Sequence, residues 1–202
     1  MKKKKTKKQV KAIKINIKRR TVIVDDKLVF KNKIPLPSWI ELSIIDVCNR
    51  TCKFCPKSDP SIAPDTYQKM EKPLITKLCK DLKDMGFKGS VVLCGYGEPM
   101  LHKNVFEICD QISKVAFVEV VTNGDTLNHK SIKKLYTSNV NKLLISMYDG
   151  PEQRKKFLDM TKKANVPKDF VILRDRWHDE TKDYGLKLTN RTGTIDIGIQ
   201  EE

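Results

Sequence analysis

The chain has 202 residues, 39% hydrophobic and 32% charged, a size and balance that suit one compact domain, with no second full one expected. No apolar run approaches the roughly 18 residues a membrane helix needs, so no membrane partner is expected. The net charge of +15 is uneven: residues 1–20 hold eleven Lys and Arg and no acid, leaving an excess of only four for the rest.

Residues 1–11 form a Lys-rich arm, and a run such as KKKKTKK is expected to stay solvated and disordered. The rival reading is an electrostatic tether to a polyanion. No aromatic residue stands among these lysines, so no base-stacking platform accompanies the charge, and a nucleic-acid partner is not expected. The arm runs into AIKINIKRR rather than an apolar stretch, unlike a secretory signal. With six cysteines and no leader, a reducing, cytoplasmic location is expected.

Residues 12–35 predict a β-hairpin. Ile13, Ile15 and Ile17 alternate with polar neighbours, then Val22 to Val24, an Asp25-Asp26 turn and Leu28 to Phe30 follow.

Residues 36–202 predict the main core. Short apolar runs recur at 40–47 (IELSIIDV), 90–97 (SVVLCGYG), 117–124 (FVEVVTNG), 142–149 (KLLISMYD), 170–177 (FVILRDRW) and 185–191 (GLKLTNR). Helical spacing falls between most of them. Leu74, Ile75, Leu78, Leu82 and Met85 make one stripe, and Val105, Ile108, Ile112 and Val115 another. Ile132 and Leu135 follow Ser131, and Pro151 marks a helix start before EQRKKFLDMTKKAN. Alternating strand and helix predicts a parallel sheet of about six strands, open or closed into a barrel. Function should then gather at the strand tips: CNRTCKFC, GYGEP, TNGD, SMYDG, RDRWHDE and TNRTG.

The most informative tip is the first. Cys48, Cys52 and Cys55 stand in CxxxCxxC spacing, three thiols within eight residues. A four-iron four-sulfur cube takes one ligand per iron, so three thiolates wrap one cube and leave one iron open to another ligand. Pro56 fixes where the loop ends, while Arg50 and Lys53 are placed to offset cluster charge. Zinc is the rival, but it wants four ligands. Cys94 would be the fourth, yet it sits in an apolar run where a small buried hydrophobe is expected. Cys79 and Cys109 lie beside helical stripes and are read as packing residues; His102, His129 and His178 lack ligand spacing; Trp177 is read as an edge-packing residue.

With the cysteine loop after the first strand, Phe54 beside its third cysteine, and Gly97-Glu98-Pro99 at the second tip, the chain resembles the radical S-adenosylmethionine (SAM) enzymes. That resemblance implies an α/β fold, an open partial (β/α)6 TIM-like barrel, here with an N-terminal β-hairpin. It implies a 4Fe-4S cluster on Cys48, Cys52 and Cys55, with SAM chelating the fourth iron. One electron passed through the cluster then splits SAM into methionine and a 5′-deoxyadenosyl radical, which abstracts hydrogen from substrate. Gly97, Glu98, Ser146 and Asn123 are implied as SAM-seating residues, with Asp149 assisting and Arg174 or Arg176 meeting the SAM carboxylate. The second-tip motif, commonly GGEP in the family, reads GYGEP here, with Tyr96 in the extra position.

An external one-electron donor such as flavodoxin or ferredoxin is implied as a partner. The segment DYGLKLTNRTG at 183–193 is similar to the subgroup that modifies peptides and proteins, which implies a peptide or protein substrate. No cysteine follows Cys109, so that subgroup's auxiliary clusters are not expected. Two alternatives stand beside this reading: a metal- or cluster-bearing nucleic-acid-binding protein, and a shortened relative that binds the cluster without turnover.

Overall fold

The computed structural model of the protein describes residues 29–52 and 55–176. The Lys-rich arm, residues 12–28 of the expected hairpin, Lys53, Phe54, Trp177, His178 and the sixth run at 185–191 lie outside the described residues.

The chain enters through a tight hairpin in which β1 (Phe30–Lys31) pairs antiparallel with β2 (Ile34–Pro35). Asn32 and Lys33 between them have φ of 51° and 66°, the left-handed pair of a type I′ turn. The sequence suggested Asp25-Asp26 as the turning point, with Leu28 to Phe30 as its second arm. Phe30 opens a further ladder, because Asn32 tolerates left-handed backbone, while the expected Asp25-Asp26 turn lies outside the described residues. Lys31 Nζ ties the hairpin to the main body by donating to the Asp84 carbonyl.

Five parallel strands follow: β3 (Trp39–Leu42), β4 (Ser90–Leu93), β5 (Phe117–Thr122), β6 (Lys142–Met147) and β7 (Val171–Asp175). Their spatial order is their sequence order. In register, Ile40 pairs with Val91, Val91 with Val118, Val120 with Leu143 and Leu143 with Val171. Between successive strands run α1 (Lys72–Met85), α2 (Val105–Ser113), α3 (His129–Thr137) and α4 (Glu152–Ala164). A parallel order that never reverses sends every right-handed crossover to one face. This is how a barrel wall is wound, unlike a doubly wound sheet with its reversal point.

The strand residues confirm the one-sided helical layer. Val91, Leu93, Val118, Val120, Leu143, Ile145 and Met147 join the helix-side core with Ile75, Leu82, Ile108, Ile112, Ile132, Leu135 and Phe157. The alternate positions, Val92, Glu119, Leu144 and Ser146, point to the opposite face and are buried there too. Burial on both faces explains why β4 and β6 read as apolar runs without alternation.

The helices form where periodicity placed them, with one correction. On α1 the buried residues are Ile75, Cys79 and Leu82, whereas Leu74 and Met85 are exposed. At about 100° per residue, Leu74 sits a quarter turn off the seam that Cys79 fills. Cys79 and Cys109 are buried, as expected of packing thiols. Helix ends are specified locally: Gly86 caps α1 at φ 72°, and Asn128 with Ser131 forms a reciprocal capping box on α3. Pro151 stands at the N-cap of α4, as read from the sequence.

Candidate functional site

Parallel strands put all their carboxyl ends at one edge, so the tips of β3 to β7 are neighbours although they span more than a hundred residues. After β3 the chain continues as Ile44 to Asp46 and is met by the returning segment before α1. Met70 N donates to Ile44 O at 2.8 Å, and Asp46 N to Gln68 O at 3.1 Å. Asp46 receives both the backbone N–H and the hydroxyl of Thr66. The cysteine loop leaves this paired stem. Cys55 N donates to Cys52 O at 2.8 Å, and Ser58 returns its N–H and hydroxyl to Cys55 O at 2.9 and 2.8 Å. Lys57, buried, reaches Pro64 O at 2.9 Å and Asp65 at 2.7 Å, holding the exit of the loop.

All six cysteines are free thiols. Cys48, Cys52 and Cys55 are partly exposed at the strand tips, whereas burial pushes the Cys109 thiol up to about 12 and leaves it chemically quiet. Burial also raises the Cys48 thiol, against the opposing pull of the Arg50 backbone N–H. Three partly exposed thiols on one short loop are the soft donors a cluster would take at separate irons, although among the described residues no three His, Cys, Asp or Glu side chains are gathered as they would be around a single metal ion. Cys94 is partly exposed rather than fully buried, contrary to its reading as a small core hydrophobe.

The second tip is shaped by contact with the first. A Cβ on Gly97 would lie 1.9 Å from Ile45 O, and one on Gly95 would lie 2.6 Å from Ser43 Oγ. Gly97 therefore lets the two tips touch, and Glu98 N seals the contact by donating to Val47 O at 2.8 Å. Tyr96 between the glycines is 38% exposed.

Glu98 is buried at 3% exposure, and its carboxylate is already engaged. Oε1 accepts from Met100 N at 3.0 Å and Thr122 Oγ1 at 2.6 Å, and Oε2 accepts from Asn123 N at 2.8 Å. Burial pushes this carboxyl up against the pull of those three donors. Glu98 thus brackets the β4 tip to the β5 tip. Glu98→Gln should lower the Tm by about 5 °C, because an amide cannot accept on both sides and strands one N–H, at roughly 1–3 kcal/mol. A melting curve identical to that of the parent chain would refute the bracket.

Asn123 is buried and faces the cysteine loop: its Nδ2 donates to Asn49 Oδ1 at 2.7 Å. Asn49 Nδ2 in turn donates to Asp125 at 3.0 Å. Beside it, Arg50 spreads its guanidinium over two carboxylates. Nε and Nη2 each reach Asp125 at 2.6 Å, while Nη1 and Nη2 reach Asp149 at 2.6 and 2.7 Å. Gln153 on α4 steadies Asp149 by donating at 2.6 Å and accepting its N–H at 3.0 Å. The hydrogen bond from Arg50, and then its charge, hold the Asp149 carboxyl below its ordinary range against the opposing effect of burial.

Arg50, taken from the sequence as charge compensation for the loop, is instead matched by two aspartates. Asp125, Asn49 and Gln153 are functional neighbours that the sequence did not single out. The one available signal was TNGD, a strand tip in which the sequence singled out Asn123 alone.

Ser146, 1% exposed, faces away from the helices and accepts from Arg174 Nη2 at 2.8 Å. Arg174 is its register partner on β7. Tyr148 stands two residues on, with Arg50 5.3 Å from its ring centre and Cys52 near enough to be felt by its phenol. The structure thus brings the cysteine loop, Gly97, Glu98, Asn123 and Ser146 to one edge of one sheet.

A one-directional parallel sheet, wound as a barrel wall is, carries the three-cysteine loop at its carboxyl edge. The model of the Radical SAM superfamily matches residues 42–196, and the chain belongs to that superfamily. The cofactors of the family are a 4Fe-4S cluster and SAM.

Among curated proteins, the chain is 29% identical over 162 residues to an S-adenosyl-L-methionine-dependent 2-deoxy-scyllo-inosamine dehydrogenase of Niallia circulans, covering 79% of this chain and 61% of that protein. It is 28% identical over 156 residues to a GTP 3′,8-cyclase of Aquifex aeolicus, covering 74% and 45%. The solved structure of BtrN in complex with AdoMet and 2-DOIA superposes with a TM-score of 0.65 at 26% identity, over 80% of this chain and 63% of that one. The chain therefore spans less than two thirds of each of these relatives.

Proposed function

We propose that this chain is the cofactor-binding core of a radical SAM enzyme, with Cys48, Cys52 and Cys55 holding the 4Fe-4S cluster and Gly97, Glu98, Asn123 and Ser146 shaping the SAM seat. The observation that carries this reading is the delivery of three accessible thiols to a strand-tip edge whose neighbouring tips are hydrogen-bonded to the loop. Held by Cys48, Cys52 and Cys55, the cluster would supply the one-electron reduction that cleaves SAM to a 5′-deoxyadenosyl radical able to abstract hydrogen.

The chain's own residues perform the placing. Glu98 and Asn123 fix the relative positions of the β4 tip, the β5 tip and the loop. The backbone carbonyls of the GYGEP tip, beside a Glu98 with three bonds already accepted, offer acceptors for an ammonium group. Ser146 and Arg174, joined on the face away from the helices, present a hydroxyl and a guanidinium to the interior.

For the substrate, the named relatives act on an aminocyclitol and on GTP, which favours a small polar molecule over the peptide or protein suggested by residues 183–193. No helix among the described residues is long and apolar enough to cross a membrane, and a cytoplasmic site with an external one-electron donor fits this chemistry.

Anaerobic reconstitution with iron and sulfide is expected to give about four iron per chain, and dithionite with SAM is expected to yield 5′-deoxyadenosine. Stoichiometric zinc without iron would overturn the proposal. So would a fully loaded protein that leaves SAM intact.

A further inference from the structure

We infer that Arg50 is a positioning residue, a single guanidinium that pins the cysteine loop to the tips of β5 and β6 and holds it on its ligand-bearing course before any metal arrives. This rests on the reading of Cys48, Cys52 and Cys55 as cluster ligands. Arg50 stands between the first two of them and makes four bonds of 2.6–2.7 Å to two carboxylates from different strand tips. Each aspartate is itself tied down, Asp125 by Asn49 and Asp149 by Gln153. The face of Tyr148 lies 5.3 Å from the guanidinium carbon.

An isolated surface ion pair contributes little, because two flexible chains must be ordered in high-dielectric surroundings. This arrangement differs in three physical respects. The Arg50 side chain is only 18% exposed. A planar fork meets each carboxylate at two oxygens, which fixes orientation as well as distance. The carboxylates also come from elements 75 and 99 residues away, so the contact joins the loop to the body of the sheet rather than to itself. None of the bonds needs the cluster, so the loop is restrained in the metal-free chain.

The test uses the full-length, metal-free protein and trypsin, which cuts after Arg50 only when the loop opens. In Asp125→Asn/Asp149→Asn, which leaves the loop sequence intact, cleavage after residue 50 should accelerate about tenfold, equivalent to 1.4 kcal/mol of lost restraint. Cleavage at other sites should keep its parental rate. Acceleration at all sites alike would mean general loosening and would overturn the inference, as would no acceleration at all.

A second arm reconstitutes Arg50→Met and Arg50→Lys. The Met variant should bind iron more weakly and should lose the change in the reduced cluster's electron paramagnetic resonance on adding SAM. The Lys variant, keeping the charge without the fork, should recover only part of both. A Met variant identical to the parent in iron content and spectrum would overturn the role of Arg50. A parent chain that takes up no iron would instead overturn the cluster assignment, while the proteolysis arm still reports on the pin.

Discussion

Cys52→Ala should remove both the iron-sulfur absorption and all formation of 5′-deoxyadenosine, a loss to background rather than a fractional decrease. A cube held at only two corners lacks one of its three protein ligands, and no other thiol stands within the loop to replace it. The fold should survive, because the Cys52 carbonyl, which alanine keeps, makes the structural contact by accepting from Cys55 N at 2.8 Å. The two readouts therefore separate: an unchanged melting temperature with no product locates the defect in ligation. Retention of the full iron content and turnover by the variant would remove Cys52 from the ligand set. Cys79→Ala and Cys109→Ala, on buried thiols, make the contrasting controls, since they should leave iron content unchanged.

Gly97→Ala should produce the largest loss of stability at the site, about 3 kcal/mol or more, seen as an earlier midpoint in denaturant. The added methyl would stand 1.9 Å from Ile45 O and 2.7 Å from its carbonyl carbon. Backbone cannot swing aside as a flexible side chain can. Separating the tips would also pull Glu98 N from Val47 O and unseat the Glu98 bracket. Gly86→Ala is the calibrating control. It has open space around the new methyl but a φ of 72°, so it should cost only the roughly 1–2 kcal/mol of left-handed backbone. Equal midpoints for the two variants would show that the seam between the first two tips yields easily.

These two substitutions also show what a sequence can and cannot disclose. The cysteine spacing was legible because ligation chemistry needs residue types at fixed local intervals. The strand and helix alternation was legible because burial marks each element differently, as a short continuous apolar run in β6 (KLLISM) and as three-to-four spacing in the α2 residues Val105, Ile108 and Ile112. What stayed hidden was pairing across distance. Gly97 reads as a residue that lets a ligand approach, yet its nearest claim is from Ile45, on another tip. Arg50 reads as charge beside a cluster, yet its partners lie 75 and 99 residues away. Asp125 reads as one more polar residue of a strand tip, since nothing local distinguishes such an aspartate from one gripped by a fork. Leu74 was misplaced for the opposite reason: apolarity alone could not say that Cys79, a smaller residue, would complete the buried seam.

The hydrogen bonds at the edge form one unbroken relay: Glu98 to Asn123, Asn123 to Asn49, Asn49 to Asp125, Asp125 to Arg50, Arg50 to Asp149, and Asp149 to Gln153. Groups that share partners in this way do not contribute independent increments. Single substitutions along the relay will each appear to cost nearly the whole, and doubles little more than either single. The energetic unit at this edge is the assembly, and its worth can be read only from thermodynamic cycles that cross from one strand tip to another.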